Sequence, residues 1–206
     1  MNLKPATQLN LYCLGNELTE LYNLYNNKKL PNKILFSGKK GIGKSTLSYH
    51  LINCILSKNE EFPYNETTCT INSENRSFKL IQNGSSPNFY LIDVGYEKKM
   101  IEIDQIRNLI NTINKSSFND KPRFVLIDNI EYLNINSANA LLKSLEEPNQ
   151  NIFFILINNN KKILPTLISR CINYKINLSN KECLEVSNQL LGVELHELIN
   201  SDLINY

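Results

Sequence analysis

The sequence predicts an α/β fold in which a parallel β-sheet is covered by helices on both faces. Short continuous apolar runs alternate along the chain with segments whose apolar residues recur at helical spacing. The first such run leads directly into a glycine-rich loop at 38–45, which is followed by a helical pattern. Strands that are apolar at every position are typical of a sheet with both faces buried, because neither face meets water.

Length and composition fit a soluble globular protein with one main core and a small appended domain. The chain has 206 residues, of which 42% are hydrophobic and 20% are charged. Its net charge of +2 is too small to indicate a nucleic-acid partner by itself. No apolar segment has the length of a signal peptide or a membrane span, so we expect a cytoplasmic protein without a membrane partner.

The first half of the chain contains two predicted helices on either side of one strand. Five leucines and a tyrosine at helical spacing predict a helix within 11–28. The run Ile34–Phe36 predicts a buried strand, and a second helix is expected at 47–56, after the glycine-rich loop. Residues 58–87 are polar and irregular and predict a loop insertion with room for a short strand.

The second half continues the alternation of strands and helices. Further strands are predicted at 89–93, 124–128, 152–157 and 172–176. Helices are predicted at 103–113, at 137–147 (where Pro148 ends the helix) and at 164–168. Ser179 has the side chain of an N-cap for a helix through Leu191, and another helix is expected from Glu194 onward.

The glycine-rich loop matches the phosphate-binding pattern G-x-x-x-x-G-K-[ST] in full. Its glycines let the backbone wrap around a phosphate, and the helix that follows presents unpaired N–H groups and a positive dipole end. We expect Lys44 to reach the β- and γ-phosphates of a nucleotide and the hydroxyl of Ser45 to hold Mg²⁺. The residues expected to bind ATP are Gly38, Lys39, Lys40, Gly41, Ile42, Gly43, Lys44, Ser45 and Thr46.

A carboxylate at the end of a buried strand completes the predicted site. Asp128 follows the run Phe124–Ile127 and is expected to orient a Mg²⁺-bound water, so that Ser45 and Asp128 together serve the metal. ATPases of this type usually place a glutamate next, as a base for the attacking water. Here the residue is Asn129, which cannot take a proton. Glu131 is either a substitute base or a structural residue of the following turn.

Two longer segments resemble a known family. Residues 137–148, SANALLKSLEEP, are similar to the ANALLKxLEEP segment of bacterial clamp-loader ATPases. Residues 164–171, LPTLISRC, resemble the LPTIxSRC box of the same proteins. With the glycine-rich loop, the similarity covers about residues 28–176. The chain thus resembles the AAA+ clamp-loader subunits of DNA polymerase III, with the delta prime branch as nearest match and gamma/tau as near relative.

The resemblance implies further roles. It places Asn158 at the sensor 1 position, which responds to the γ-phosphate, and makes Arg170 an arginine finger that acts in trans on a neighbouring subunit's ATP. It implies ATP and Mg²⁺ as cofactors. The implied partners are other clamp-loader subunits (gamma/tau and delta), with the sliding clamp and primed DNA reached through the complex. Residues 1–176 would form the AAA+ domain and 177–206 the beginning of a helical lid domain.

The chain departs from the family pattern in three ways, of which the first two argue against a gamma/tau motor subunit. Between the glycine-rich loop and Asp128 the chain has only Cys54 and Cys69, too few for the four-cysteine zinc module of many relatives, so no zinc is expected. Asn129 replaces the expected glutamate. Residues 177–206 supply only part of a lid and contain no arginine, and we expect the chain to be truncated before a C-terminal collar domain.

Other functions remain open at the level of the sequence. A gamma/tau-like subunit would hydrolyse ATP for itself, against which Asn129 and the missing zinc ligands count. A small-molecule P-loop kinase needs an arginine-rich lid, whereas the four arginines here are not clustered. A structural stator would bind no nucleotide, which the complete phosphate-binding pattern argues against. The favoured prediction is a delta prime-like subunit that binds ATP and has weak turnover or none.

Overall fold

Five parallel strands form one sheet at the centre of the protein. The structure is a computed structural model that describes residues 4–95, 98–115, 119–146 and 151–191. The strand order across the sheet is β2-β3-β4-β1-β5, and every neighbouring pair is parallel. The strands are β1 Lys33–Ser37, β2 Phe89–Ile92, β3 Arg123–Ile127, β4 Ile152–Asn158 and β5 Ile172–Lys175. The predicted parallel sheet is confirmed.

Seven α-helices are described around this sheet. They are α1 Gly15–Asn26, α2 Lys44–Leu56, α3 Arg76–Gln82, α4 Ile103–Ile113, α5 Ile135–Glu146, α6 Pro165–Ile168 and α7 Asn180–Leu191. Short 3₁₀ turns lie at Pro5–Thr7 and Ile130–Tyr132. No helix within the described residues is long and apolar enough to cross a membrane.

Alternate residues of each strand pack on opposite faces of the sheet, as the pleat requires. In β1, Ile34 and Phe36 belong to a core that includes buried side chains of α1, α2 and α3. Leu35 faces the other way, into a core shared with α4 and α5. Both faces are therefore covered by helices, which is why every residue of β3 is buried and the strand is apolar beyond its first residue.

Two segments differ from the sequence prediction. The loop insertion at 58–87 contains α3, whose first turn is satisfied by the side chain of Asn75 and by the carboxylate of Glu60, which accepts from the Ser77 N–H at 2.9 Å. Helix α1 begins at Gly15 rather than near residue 11, because the Leu11 N–H donates to the Cys69 carbonyl at 3.0 Å and not to a carbonyl of a helical turn. Pro148 and the helix predicted from Glu194 lie outside the described residues.

Candidate functional site

The carboxyl ends of three adjacent strands meet at one edge of the sheet, and each is followed by polar residues. Gly38 follows β1, Asp128 follows β3, and Asn158 ends β4. Strand β4 lies between β3 and β1, so these three connections are neighbours. Ligand sites of open parallel sheets form at such carboxyl edges. The fold therefore brings the predicted phosphate-binding loop and the predicted metal-orienting carboxylate together.

Two glycines of the loop have positions that a side chain would disturb. A Cβ on Gly38 would lie 2.3 Å from the carbonyl oxygen of Ile176, which follows β5. Gly43 has a φ of +92°, in the left-handed region, and is the N-cap of α2. The backbone N–H groups of the first turn of α2 have no partners within the helix and face the loop, an arrangement suited to an anion.

The close approach at Gly38 gives a testable consequence. We expect Gly38→Ala to destabilise the fold by about 1–3 kcal/mol, because the loop and the chain after β5 must separate, and to weaken nucleotide binding. Gly84→Ala is the matched control, since Gly84 also has a positive φ (+64°) but a Cβ there meets no atom within 4 Å. Urea unfolding and ATP titration of both variants measure the two effects. Unchanged ATP affinity in Gly38→Ala would contradict the proposed loop geometry.

Lys44 is buried in the loop, with 3% of its surface exposed. Its Nζ donates to the carbonyl oxygens of Gly38 at 3.0 Å and Lys39 at 2.6 Å, and to Oδ1 of Asn159 at 3.0 Å. Burial lowers the pKa of Lys44, while the charges of Asp128 and Glu131 act in the opposite direction. Three hydrogen-bond acceptors, two of them loop carbonyls, thus fix the position of the Lys44 ammonium group beside the loop.

Asp128 lies beside Ser45 at the same edge. Burial and the charge of Asp93 raise the pKa of Asp128, whereas the Ser45 side chain beside it and the charge of Lys44 lower it. No cluster of three or more His, Cys, Asp or Glu side chains that could hold a metal is found among the described residues. A Mg²⁺ ion here would need phosphate oxygens and water besides Ser45 and Asp128, which is its usual coordination in nucleotide sites. The Ser45 hydroxyl and the Asp128 carboxylate are suitable for this kind of Mg²⁺ coordination.

Asn129 has a left-handed backbone conformation, with a φ of +56°, and both ends of its amide are hydrogen-bonded. Its Nδ2 donates to Oδ1 of Asp93, after β2, at 2.8 Å. Its Oδ1 accepts from Nδ2 of Asn159 at 2.9 Å. The residue that replaces the expected glutamate therefore connects three strand ends.

The two asparagines at the end of β4 have different environments. The side chain of Asn158, the predicted sensor 1 residue, closes a turn by bonding both backbone groups of Lys161, at 3.0 and 3.2 Å. Asn159 instead contacts Lys44, Asn129 and Glu131. The sensor assignment of Asn158 stays a prediction, and Asn159 is a site residue that sequence reasoning missed. Three consecutive asparagines gave no pattern by which to choose between them.

Glu131 lies in the 3₁₀ turn after Asp128 and uses both carboxylate oxygens on one residue. Oε1 accepts from Nδ2 of Asn159 at 2.9 Å, and Oε2 accepts from the Asn159 backbone N–H at 3.4 Å. These contacts favour the structural alternative for Glu131 over a free base that faces a water.

A cavity of about 640 Å³ opens beside the loop. One end is lined by the loop with Asp128, Asn129 and Asn159, and the other by the segment before α1 and by α7. This second end is mainly apolar, with Leu11, Leu14, Leu178, Val186 and Leu190. The polar and the apolar end together have the volume expected of a ligand site.

Arg170 does not line this cavity within the described part of the chain. It follows α6, and its side chain is one-third exposed. Its Nη2 and Nε donate to Oε1 of Glu146 at 2.5 and 3.2 Å, and its Nη1 donates to the Thr166 carbonyl at 3.1 Å. The guanidinium is thus partly exposed and held by Glu146 and Thr166, and among the described residues it makes no hydrogen bond with this chain's own loop.

The model of the family described as DNA polymerase III, delta subunit, matches residues 15–180. The DNA polymerase III subunit delta' of Pseudomonas aeruginosa is 32% identical over 67% of this chain and 40% of that protein. The subunit gamma of Buchnera aphidicola subsp. Schizaphis graminum is 36% identical over 75% of this chain and 40% of that protein. The chain therefore spans about 40% of the length of these relatives.

Solved structures show the same fold at lower identity. A DNA polymerase III gamma subunit-related protein of Thermotoga maritima has a TM-score of 0.55 and 22% identity, covering 80% of this chain and 47% of that one. The RuvB Holliday junction branch migration motor of Thermotoga maritima has a TM-score of 0.54 and 14% identity, covering 92% of this chain and 56% of that one. The predicted AAA+ type of α/β fold is confirmed.

Proposed function

The chain belongs to the DNA polymerase III delta subunit family, and on that basis we propose that it is a delta prime-like clamp-loader subunit that binds ATP with Mg²⁺. One observation carries nucleotide binding: Lys44, Ser45 and Asp128 meet at the carboxyl edge of the sheet, beside a cavity with a polar and an apolar end. The proposed partners are gamma/tau and delta subunits, with the sliding clamp and primed DNA bound through the complex. Such a role places the chain in the cytoplasm.

In the proposed complex each part of the site has one task. The loop N–H groups and Lys44 bind the β- and γ-phosphates, and the segment before α1 and α7 enclose the base. Ser45 and Asp128 hold Mg²⁺, which supplies charge neutralisation on the phosphate oxygens when it is bound. Asn159, which follows β4, acts in the site through its contact with Lys44 at 3.0 Å, and the sensor 1 role of Asn158 stays a prediction.

Calorimetric titration of ATP into the chain tests nucleotide binding, with and without Mg²⁺. We expect a single site that is stronger with Mg²⁺, because Ser45 and Asp128 fit a metal only in company with phosphates. A stator that never binds nucleotide would give no heat under either condition. Equal affinity in the presence of a chelator would exclude the metal role of Ser45 and Asp128.

We expect the isolated chain to hydrolyse ATP very slowly or not at all. Asn129 cannot accept a proton and its amide is held by Asp93 and Asn159, whereas general-base catalysis typically contributes about 10²–10⁴-fold. A phosphate-release assay on purified chain measures the rate. Turnover of about 1 s⁻¹, an ordinary enzyme rate, would instead favour a gamma/tau-like ATPase. That alternative has support from the similarity to a gamma subunit.

A further inference from the structure

A chain of hydrogen bonds runs from Lys44 across two amides to Asp93. Lys44 Nζ donates to Asn159 Oδ1 at 3.0 Å, Asn159 Nδ2 donates to Asn129 Oδ1 at 2.9 Å, and Asn129 Nδ2 donates to Asp93 Oδ1 at 2.8 Å. Glu131 joins from the side, where its Oε1 accepts from the same Asn159 Nδ2 at 2.9 Å. Four separate connections between strands and helices are thereby linked.

The direction of this chain is fixed by the groups at its ends. An ammonium can only donate, and an ionised carboxylate can only accept. Lys44 therefore requires the oxygen of Asn159, while Glu131 requires its N–H₂ group. Asp93 requires the N–H₂ group of Asn129, which turns the Asn129 oxygen toward Asn159. Each amide has one orientation that satisfies both of its neighbours.

The orientation of the Asn159 amide decides whether this side chain can donate a hydrogen bond to a γ-phosphate. A side chain that reads the γ-phosphate must offer it a donor, since phosphate oxygens only accept. Both hydrogens of Asn159 Nδ2 are already used, by Asn129 and Glu131. The atom of Asn159 that faces the loop is its oxygen, on Lys44. An ammonium has three N–H donors, so Lys44 can keep Asn159 while it exchanges the carbonyls of Gly38 and Lys39 for phosphate oxygens.

We propose that Asp93 and Glu131 are positioning residues that hold the Asn159 amide with its oxygen toward Lys44, so that Asn159 acts on the lysine and not on the γ-phosphate. The part that concerns nucleotide rests on the proposed function. Asn159 then has no direct contact with the γ-phosphate, and it supports the binding of ATP and ADP alike through the contact of Lys44 with the β-phosphate that both nucleotides carry.

The orientation is tested first in nucleotide-free protein. The ammonium resonance of Lys44, observed by NMR after ¹⁵N-lysine labelling, should shift in Asn159→Ala and in Glu131→Gln. In Glu131→Gln the new amide can donate, which removes the requirement for the N–H₂ group of Asn159. Asp93→Asn probes the same orientation through Asn129. Asp104→Asn, an exposed carboxylate on α4, is the control and should leave the resonance in place. No shift in Glu131→Gln and Asp93→Asn would overturn the positioning role.

Nucleotide affinities test the second half of the proposal. Asn159→Ala, Glu131→Gln and their double variant should each lower the affinity for ATP and for ADP by the same factor, about 3–10-fold for one hydrogen bond. The double variant should be no weaker than Asn159→Ala, because Glu131 acts through Asn159. Loss of ATP affinity alone would show that Asn159 contacts the γ-phosphate and overturn the proposal. If wild type binds neither nucleotide, the proposed function fails, while the lysine resonance still decides the orientation.

Discussion

Replacing Arg170 with alanine is expected to reduce ATP turnover by an assembled clamp-loader complex by about 10³–10⁵-fold, the range found for arginine fingers supplied in trans. The physical reason is that a guanidinium stabilises the charge that develops on the transferred phosphoryl group. Arg170 is partly exposed, does not line the cavity beside this chain's own loop, and is the penultimate residue of the LPTLISRC segment. Turnover and clamp loading by a complex reconstituted with the full-length subunit measure the effect.

The same variant should leave ATP binding by the mutated subunit nearly unchanged. Arg170→Lys is the matched control, because it keeps the charge but loses the planar fork and should recover little turnover. Glu146→Gln weakens the pair that holds Arg170 in the structure and should leave turnover intact or raise it. If Arg170→Ala weakens its own subunit's ATP affinity and spares the assembled complex, the arginine acts in cis and the delta prime proposal is wrong.

Replacing Lys44 with alanine is expected to weaken ATP binding by at least about 100-fold, because charge-assisted hydrogen bonds to two phosphates are lost together. Lys44 is the cation that the fold holds at the mouth of the loop, within reach of both carbonyls of Gly38 and Lys39. Calorimetry with Mg²⁺ present compares the variant with wild type.

A thermal unfolding curve must accompany that titration, since Lys44→Ala leaves three acceptors without their donor. Lys44→Met fills more of the same space without the charge and should also fail to bind. Lys58→Ala, which removes an exposed lysine at the end of α2, is the charge-matched control and should bind as wild type does. Full affinity in a folded Lys44→Ala protein would exclude the loop as the nucleotide site.

Strands β1, β3 and β4 could be predicted from the sequence because strands that are buried on both faces of a sheet leave apolar runs that need no tertiary information. The edge strands β2 and β5 were also predicted, although they are only partly buried. The residues at which helices begin and end were harder to predict from the sequence. The leucines that extend the α1 pattern back to Leu11 are buried, but Leu11 pairs with Cys69 instead of joining the helix. Helix α3 has only seven residues, and Glu60 accepts a hydrogen bond from a backbone N–H of its first turn. Glu60 lies outside the helix in the sequence, so the local pattern of α3 gives no sign of this contact.

Some residues of the candidate site could be predicted from the sequence and others could not. The glycine-rich loop and Asp128 were predictable, since the first is a local motif and the second ends a buried strand. The contacts of Asn159 were not, because they join residues that follow three different strands. The pairing of Arg170 with Glu146 likewise depends on how α5 and the segment after α6 meet in the fold.

We propose that this chain holds ATP without turning it over. The most direct measurement incubates purified chain with ATP and Mg²⁺, separates the protein from free nucleotide, and identifies what remains bound by chromatography. We predict a stoichiometric amount of unhydrolysed ATP, since Lys44, Ser45 and Asp128 can bind the nucleotide and Asn129 cannot activate a water. Protein that carries only ADP, or no nucleotide at all, would contradict the account.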